Sequence, residues 1–450
     1  MDHISEFWDF TYPTKAFLKA NKLVFKFHSF YDIINFYLFE TRQLFRGIPI
    51  MTNKIKSFTL IILILITGFK AKTINGLIEK NVDLEAVPYL SQLQIVNDVN
   101  ILIQFINNGY GGKDILPDSE VNELINQLKN ISKDAKIQNS NQFCIAIAKA
   151  TETMRDFHLT VNLGMQSCGR AWPRGSVGSN ISLNNQNSTW SLEQINLNNN
   201  KINILGIKKM TNKNSEDWKG FLEAIDLILV QKNSFIIDLR GNPGGDLRMP
   251  IELVRKLYGI KFDDPLPLPN KKIYRKRAPE SWVLLANAFW LQKQNYEINN
   301  QTPPEYLLQE YINMKGYLTK SLNNEIPWLE TEISTKFTPN FEFLFNKNIY
   351  VLIDRECGSS CELTLEALEN HPYAHTVGES TAGVVHFGNL GKLFLPDSHL
   401  VVNIPTQGAI YSDGRFVEKT GYQPKYMVPR GTNALEFTVN NLLKAQNISD

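Results

Sequence analysis

Apolar positions change their period twice along the chain. Through residues 88–152 they recur at threes and fours, first as Leu90, Leu93, Ile95, Val99, Leu102, Ile103 and Ile106, then as Val121, Leu124, Ile125 and Leu128. This predicts three helices, with a glycine-rich break at 108–112, Asp118 or Ser119 capping the second helix, and the third over 142–154. After His158 the pattern turns to alternation, and strands are expected at 181–183, 190–195 and 202–207, joined by Asn-rich turns. Residues 218–230 return to helical spacing. Residues 234–239 then form a largely apolar run of the kind buried on both faces of a parallel sheet.

That alternation of strand and helix is interrupted at 259–345, where basic turns (Lys271 and Lys272, Arg275 to Arg277) precede helices rich in Trp and Tyr at 282–292 and 304–318. An insertion of this length is expected to act as a lid, a binding wall or an oligomer contact. The sheet resumes at 349–353 and is expected to continue through 376–379, 393–395 and 400–404, before a last helix at 434–446. The expected fold class is α/β: a small helical domain over 88–154, then an α/β domain over 155–435 that carries the insertion.

The start of the chain has a different character. Residues 1–50 are rich in aromatics without a period, and Met51 is followed by two lysines, a 12-residue apolar run at 58–69 and Lys70-Ala71-Lys72. That is the layout of a secretory signal peptide counted from Met51, with 1–50 as an upstream extension, and it predicts a secreted or periplasmic protein. The alternative starts at Met1 and makes 58–69 a membrane anchor, although the run is short for a span. The net charge of +2 over 450 residues gives no field for nucleic acid. The four cysteines show no metal spacing, and no metal or other cofactor is expected; the cysteines form one or two disulfides in an exported protein, or none, and packing is favoured over bonding for Cys357 and Cys361.

Candidate chemistry centres on Cys357-Gly358-Ser359-Ser360-Cys361, between the strand at 349–353 and a helical stripe of Leu363, Leu365, Ala367 and Leu368. A glycine turn from strand to helix lifts a serine beside the free amides of the first helical turn, which stabilise an oxyanion. A helix N-cap is the plainer role for such a serine. Gly244 and Gly245, in the loop after 234–239, offer further amides. His158 stands at a helix-to-strand junction, where a histidine is more often structural than catalytic until a partner is found.

Four pieces in order resemble the S41 family of serine peptidases, which includes the tail-specific processing proteases, the tricorn core and the interphotoreceptor retinoid-binding modules. They are Asp156-Phe157-His158, the run from Ile237 to Gly245, Gly358 to Glu362 with Val377 to Gly383, and Val417 to Pro424. The resemblance implies a ClpP/crotonase-like α/β catalytic domain and a protein or peptide substrate cleaved through an acyl-enzyme. By position, Ser359 matches the nucleophile with Ser360 as its rival, and the oxyanion donors fall on Ser360 and on Gly244 or Gly245. The lysine of the processing branch has no counterpart, since its place is Val384 and the next lysine is Lys392. The tricorn-like branch instead implies a triad of Ser359, His158 and Glu418. His386 and Gly383 are expected on the substrate side, with His386 as a reserve base, and Glu362 as an anchor of the turn. The family's PDZ module is absent, and Lys425 stands where the family usually has Asp. A binding module without turnover, on the same scaffold, is the competing expectation; an esterase is disfavoured because GxSxG is missing.

Overall fold

The computed structural model describes residues 84–444, except 165, 170–172, 174–188, 198–199, 212–216, 232, 262–265, 335–342 and 430. The expected leader at 51–72, the extension before it and the strand at 181–183 lie outside the described residues. No described helix is long and apolar enough to cross a membrane.

Three helices open the described chain: α1 (Gln92–Gly109), α2 (Asp118–Ile131) and α3 (Ser140–Glu152). Ser91 caps α1 and closes a capping box with Gln94, while Asn139 caps α3. The expected cap of α2 is corrected: Pro117 takes that place without a side-chain bond, and Asp118 and Glu120 sit inside the first turn, where their charge suits the helix dipole.

Two sheets follow. One is mixed, in the order β12 (Tyr426–Met427), β9 (Ala374–Gly378), β8 (Ile349–Ile353), β5 (Phe235–Asp238), β4 (Asn200–Ile207) and β3 (Trp190–Leu197). All neighbours in it are parallel except the edge pair of β3 and β4. Its central strands are apolar on both sides because both faces are covered. One face packs against α4 (Asp217–Gln231), α5 (Arg248–Tyr258) and α8 (Ser360–Leu368), and the other against the C-terminal residues Ala434 and Leu443.

The second sheet is antiparallel: β2 (Gln166–Ser167), β1 (Thr160–Leu163), β11 (Leu400–Tyr411), β6 (Lys271–Lys276) and β7 (Leu329–Ser334), with β10 (Phe387–Phe394) also on β11. Here the sequence expectation changes. The strands at 393–395 and 400–404 belong to this sheet, and the basic residues 271–276 are a strand, not turns. Their charge hides the alternation: Arg275 lies opposite Glu330 and pairs with Glu332, while Lys271 is buried against Glu366, 2.8 Å away. The helical part of the insertion is the hairpin of α6 (Pro279–Ile298) and α7 (Glu305–Leu322), set between two strands of the sheet.

Candidate active site

The loops after β5, β8 and β9 leave the mixed sheet at the C-terminal ends of parallel strands, the edge where open α/β sheets hold ligands. The loop after β8 carries Ser359. Its backbone lies at φ 55° and ψ −124°, a region that costs an L-residue about 1–3 kcal/mol, so surrounding contacts must hold it there. Its amide donates to Val384 O at 2.9 Å, Gly358 N donates to Asn242 O at 3.2 Å, and Leu363 N donates to Ser359 O at 3.1 Å. Ser359 occupies the N-cap position of α8, yet its hydroxyl makes no capping bond. The rival Ser360 is buried and donates its hydroxyl to Gly245 O at 2.9 Å, which ties α8 to the glycine loop.

The glycine loop is shaped by Asp238 and Asn242. Arg240 binds Asp238 through Nε and Nη2 at 2.9 and 2.6 Å, and Asn242 Oδ1 accepts the Gly244 amide at 2.8 Å. The Gly244 N–H is therefore already engaged. A Cβ at Gly244 would stand 2.9 Å from Ser359 Cβ and 3.0 Å from Ser360 N, in the space where a carbonyl oxygen would meet that amide; its φ of +97° also favours glycine.

A second cluster of titratable groups comes from remote parts of the chain. Ligand atoms of Asp156, His158 and Glu418 all lie within 4.8 Å of one another. Asp156 Oδ1 accepts from His158 N at 2.7 Å, and Glu120 holds Arg155 through its amide and Nε at 2.7 and 2.8 Å, which fixes the junction to α2. Glu418 is buried, with Oε1 accepting from Phe157 N at 3.3 Å and Oε2 from Val385 and His386 N at 3.2 and 3.1 Å. Main-chain bonds thus connect the halves: Val384 O takes the Ser359 amide, the next amide reaches Glu418, and Glu418 reaches the residue before His158. Burial lowers the His158 pKa to about 4. Burial, and next the Asp156 charge, push Glu418 well above the usual carboxylate range.

His386 and Gly383, expected on the substrate side, lie against the loop that carries Glu418. His386 is buried, its Nδ1 on Ala409 O at 2.9 Å and its Nε2 accepting from Val417 N at 3.0 Å, with Phe416 stacked on the ring. With both nitrogens on main chain it braces the Glu418 loop. At Gly383 that loop approaches closely: a Cβ would lie 2.3 Å from Val417 O. Glu362 anchors the turn, accepting from Gly383 N at 2.8 Å and Val384 N at 2.6 Å, and burial raises its pKa to about 7 against the pull of these donors. Lys392 donates to Asn403 in the antiparallel sheet.

Two features escaped the sequence reading. Asp156, which the sequence shows only as part of the Asp156-Phe157-His158 piece, joins His158 and Glu418. Cys357 and Cys361 are bonded, as are Cys144 and Cys168, with Cα separations of 5.5 and 5.7 Å. Bonding thus replaces the packing expected around Ser359, because the turn brings two buried thiols of adjacent turns together.

Among known proteins, residues 201–428 match Peptidase family S41, just over half of the chain. The Chlamydia pneumoniae protein CPj1016/CpB1054 is 23% identical over 225 residues, which is 46% of this chain and 35% of that protein, so the chain spans about a third of the length of this curated relative. A structure from Parabacteroides merdae described as a peptidase is 12% identical, with 79% of this chain and 96% of the other covered and a TM-score of 0.48. Mature CPAF is 14% identical, with the same coverage and a TM-score of 0.46. On the extent of the family match, with the Gly-loop and Ser359 motifs inside it, the chain belongs to peptidase family S41.

Proposed function

We propose that this chain is an exported serine peptidase in which Ser359 attacks the peptide carbonyl, His158 takes the serine proton, and Glu418 orients the imidazole. The observation that carries the reading is Ser359 itself: a residue held at positive φ, with a hydroxyl free of capping, at the N-terminus of a helix. Such strain persists where the fold over-determines it, and it clusters at active sites. The developing oxyanion would meet Ser360 N and, since the Gly244 amide is engaged, Gly245 N.

His158 is neutral at neutral pH because burial disfavours its charged form, which leaves it able to accept a proton. Burial and the neighbouring Asp156 charge hold the Glu418 pKa above the usual carboxylate range, and the two carboxyl groups face the imidazolium formed during acylation. His158 then protonates the leaving amine, and water repeats the sequence to release the acyl group. Disulfides persist in oxidising compartments, which supports the secreted or periplasmic reading over a cytoplasmic one.

A binding module without turnover is favoured by one observation: His158 Nδ1 is buried and has no hydrogen-bond partner. Labelling with a fluorophosphonate separates the two readings. An adduct on Ser359, absent in Ser359→Ala, is the expected result. No adduct on correctly folded protein would give the binding module the better case.

A further inference from the structure

The disulfide between Cys357 and Cys361 encloses the nucleophile, with only Gly358, Ser359 and Ser360 between its ends. Both cysteines are fully buried and belong to the core cluster with Leu239, Ile353 and Leu365. The ends of the loop are thus pinned beneath it, 5.5 Å apart at Cα, whereas the same five residues extended would span about 13 Å. With the ends fixed, the three residues between them must arch outward, and Ser359, at φ 55°, is the apex.

Other supports hold the flanks of the arch. Cys357 N donates to Asp354 O, Ala382 N to Cys357 O, and Cys361 N to Gly358 O. These bonds are individually reversible, and a strained residue relaxes once its neighbours can move apart. The disulfide is the one covalent restraint on that movement.

We infer that the Cys357–Cys361 disulfide is a positioning device for the nucleophile, holding Ser359 in its strained conformation so that turnover depends on the oxidised chain. The inference rests on the peptidase reading above. A chain whose two sulfurs are thiols would fold around the same sheet but would let Ser359 leave the place where its hydroxyl and the Ser360 amide converge on one carbonyl. The dependence confines activity to a compartment that oxidises the pair.

The test compares three full-length proteins: wild type, Cys357→Ala/Cys361→Ala, and Cys144→Ala/Cys168→Ala as the control for loss of a disulfide elsewhere. Each is scored by the rate of fluorophosphonate labelling, by kcat and KM on a peptide substrate, and by thermal unfolding. The Cys357/Cys361 variant is expected to unfold cooperatively and keep its KM, with kcat and labelling lowered by about 10–100-fold, the scale of a misplaced reacting group. The Cys144/Cys168 variant is expected to label at the wild-type rate. In that variant the remaining disulfide can be titrated alone. At a dithiothreitol concentration where mass spectrometry shows the buried bond open, the reagent has given two electrons and two protons to the S–S bond and closed to its own cyclic disulfide; labelling should slow, and re-oxidation should restore it. A Cys357/Cys361 variant that labels at the wild-type rate, or slows only in proportion to its unfolded fraction, overturns the positioning role while leaving the peptidase reading intact. A folded wild type that takes no adduct overturns both.

Discussion

The loop around Ser359 and the cluster around His158 are finished to different degrees. Around Ser359 the backbone is tied on every flank: to Val384, to Asn242 through Gly358, and to α8 through Leu363, with a disulfide beneath. Around His158 the main-chain amide is bonded to Asp156, but the ring nitrogen Nδ1 is not held. Glu418 spends both oxygens on amides, and the imidazole Nδ1 has no hydrogen-bond partner. The contrast has a physical reason. Backbone strain at a nucleophile must be set during folding, whereas a side-chain ring can turn into hydrogen-bond range when substrate excludes water, and apo sites often hold such contacts loosely.

The sharpest way to break this comparison is Ser359→Ala, which should lower kcat on the order of 10⁴–10⁶-fold, with folding unchanged by circular dichroism. Ser360→Ala, which only unties the bond to Gly245 O, should cost far less. Equal losses in steady-state peptide hydrolysis would mean that the assignment of the two serines is wrong.

Gly244→Ala comes next. Its methyl group would enter the space beside Ser360 N, so a loss of about 10²–10³-fold in kcat is expected, the scale of a lost oxyanion donor. If KM rises and kcat holds, the space serves ground-state binding instead.

Glu362→Gln probes the rigidity of the serine side. The amide NH2 would face donors now accepted by a carboxylate, at a cost of about 1–3 kcal/mol, read from the midpoint of denaturant unfolding. A variant as stable as wild type would show that the loop holding Ser359 does not depend on this anchor.

The smallest effect is a shift in pH dependence on the histidine side. Catalysis needs the neutral ring, so the acid limb of kcat/KM should fall near pH 4 and not near 6.5. The stability sign agrees. Between about 6.5 and 4 the unfolded ring binds a proton that the native ring does not, so this group makes the native state less stable as pH falls across that window, and contributes nothing above it. An acid limb near 6.5 would indicate that Glu418 is ionised and close to the ring in the working enzyme.

Which parts of the fold were legible follows from the range of the interactions that encode them. The three helices, β5 and β8 were readable because each is specified by spacing within one segment. β6 was misread as turns because its charges are neutralised by partners on β7 and α8, which no local pattern shows. Glu362 was readable as an anchor from its place one turn into α8. The partners of His386 were not readable, because a histidine in a glycine-flanked loop looks the same in sequence whether it points to solvent or lies between Ala409 and Val417.

By itself the sequence determined the three opening helices, the central strands β5 and β8, the strand-to-helix turn that exposes a serine, and the spacing that sets Glu362 behind it. Those depend on backbone propensity and on contacts a few residues long. Only the tertiary structure decided which of two adjacent serines keeps a free hydroxyl, which of the candidate histidines stands with Glu418, that Asp156 joins them, and that the cysteines bond. Each of these depends on segments tens to hundreds of residues apart or on the path of one loop, and long-range packing is what selects among side chains that are locally equivalent.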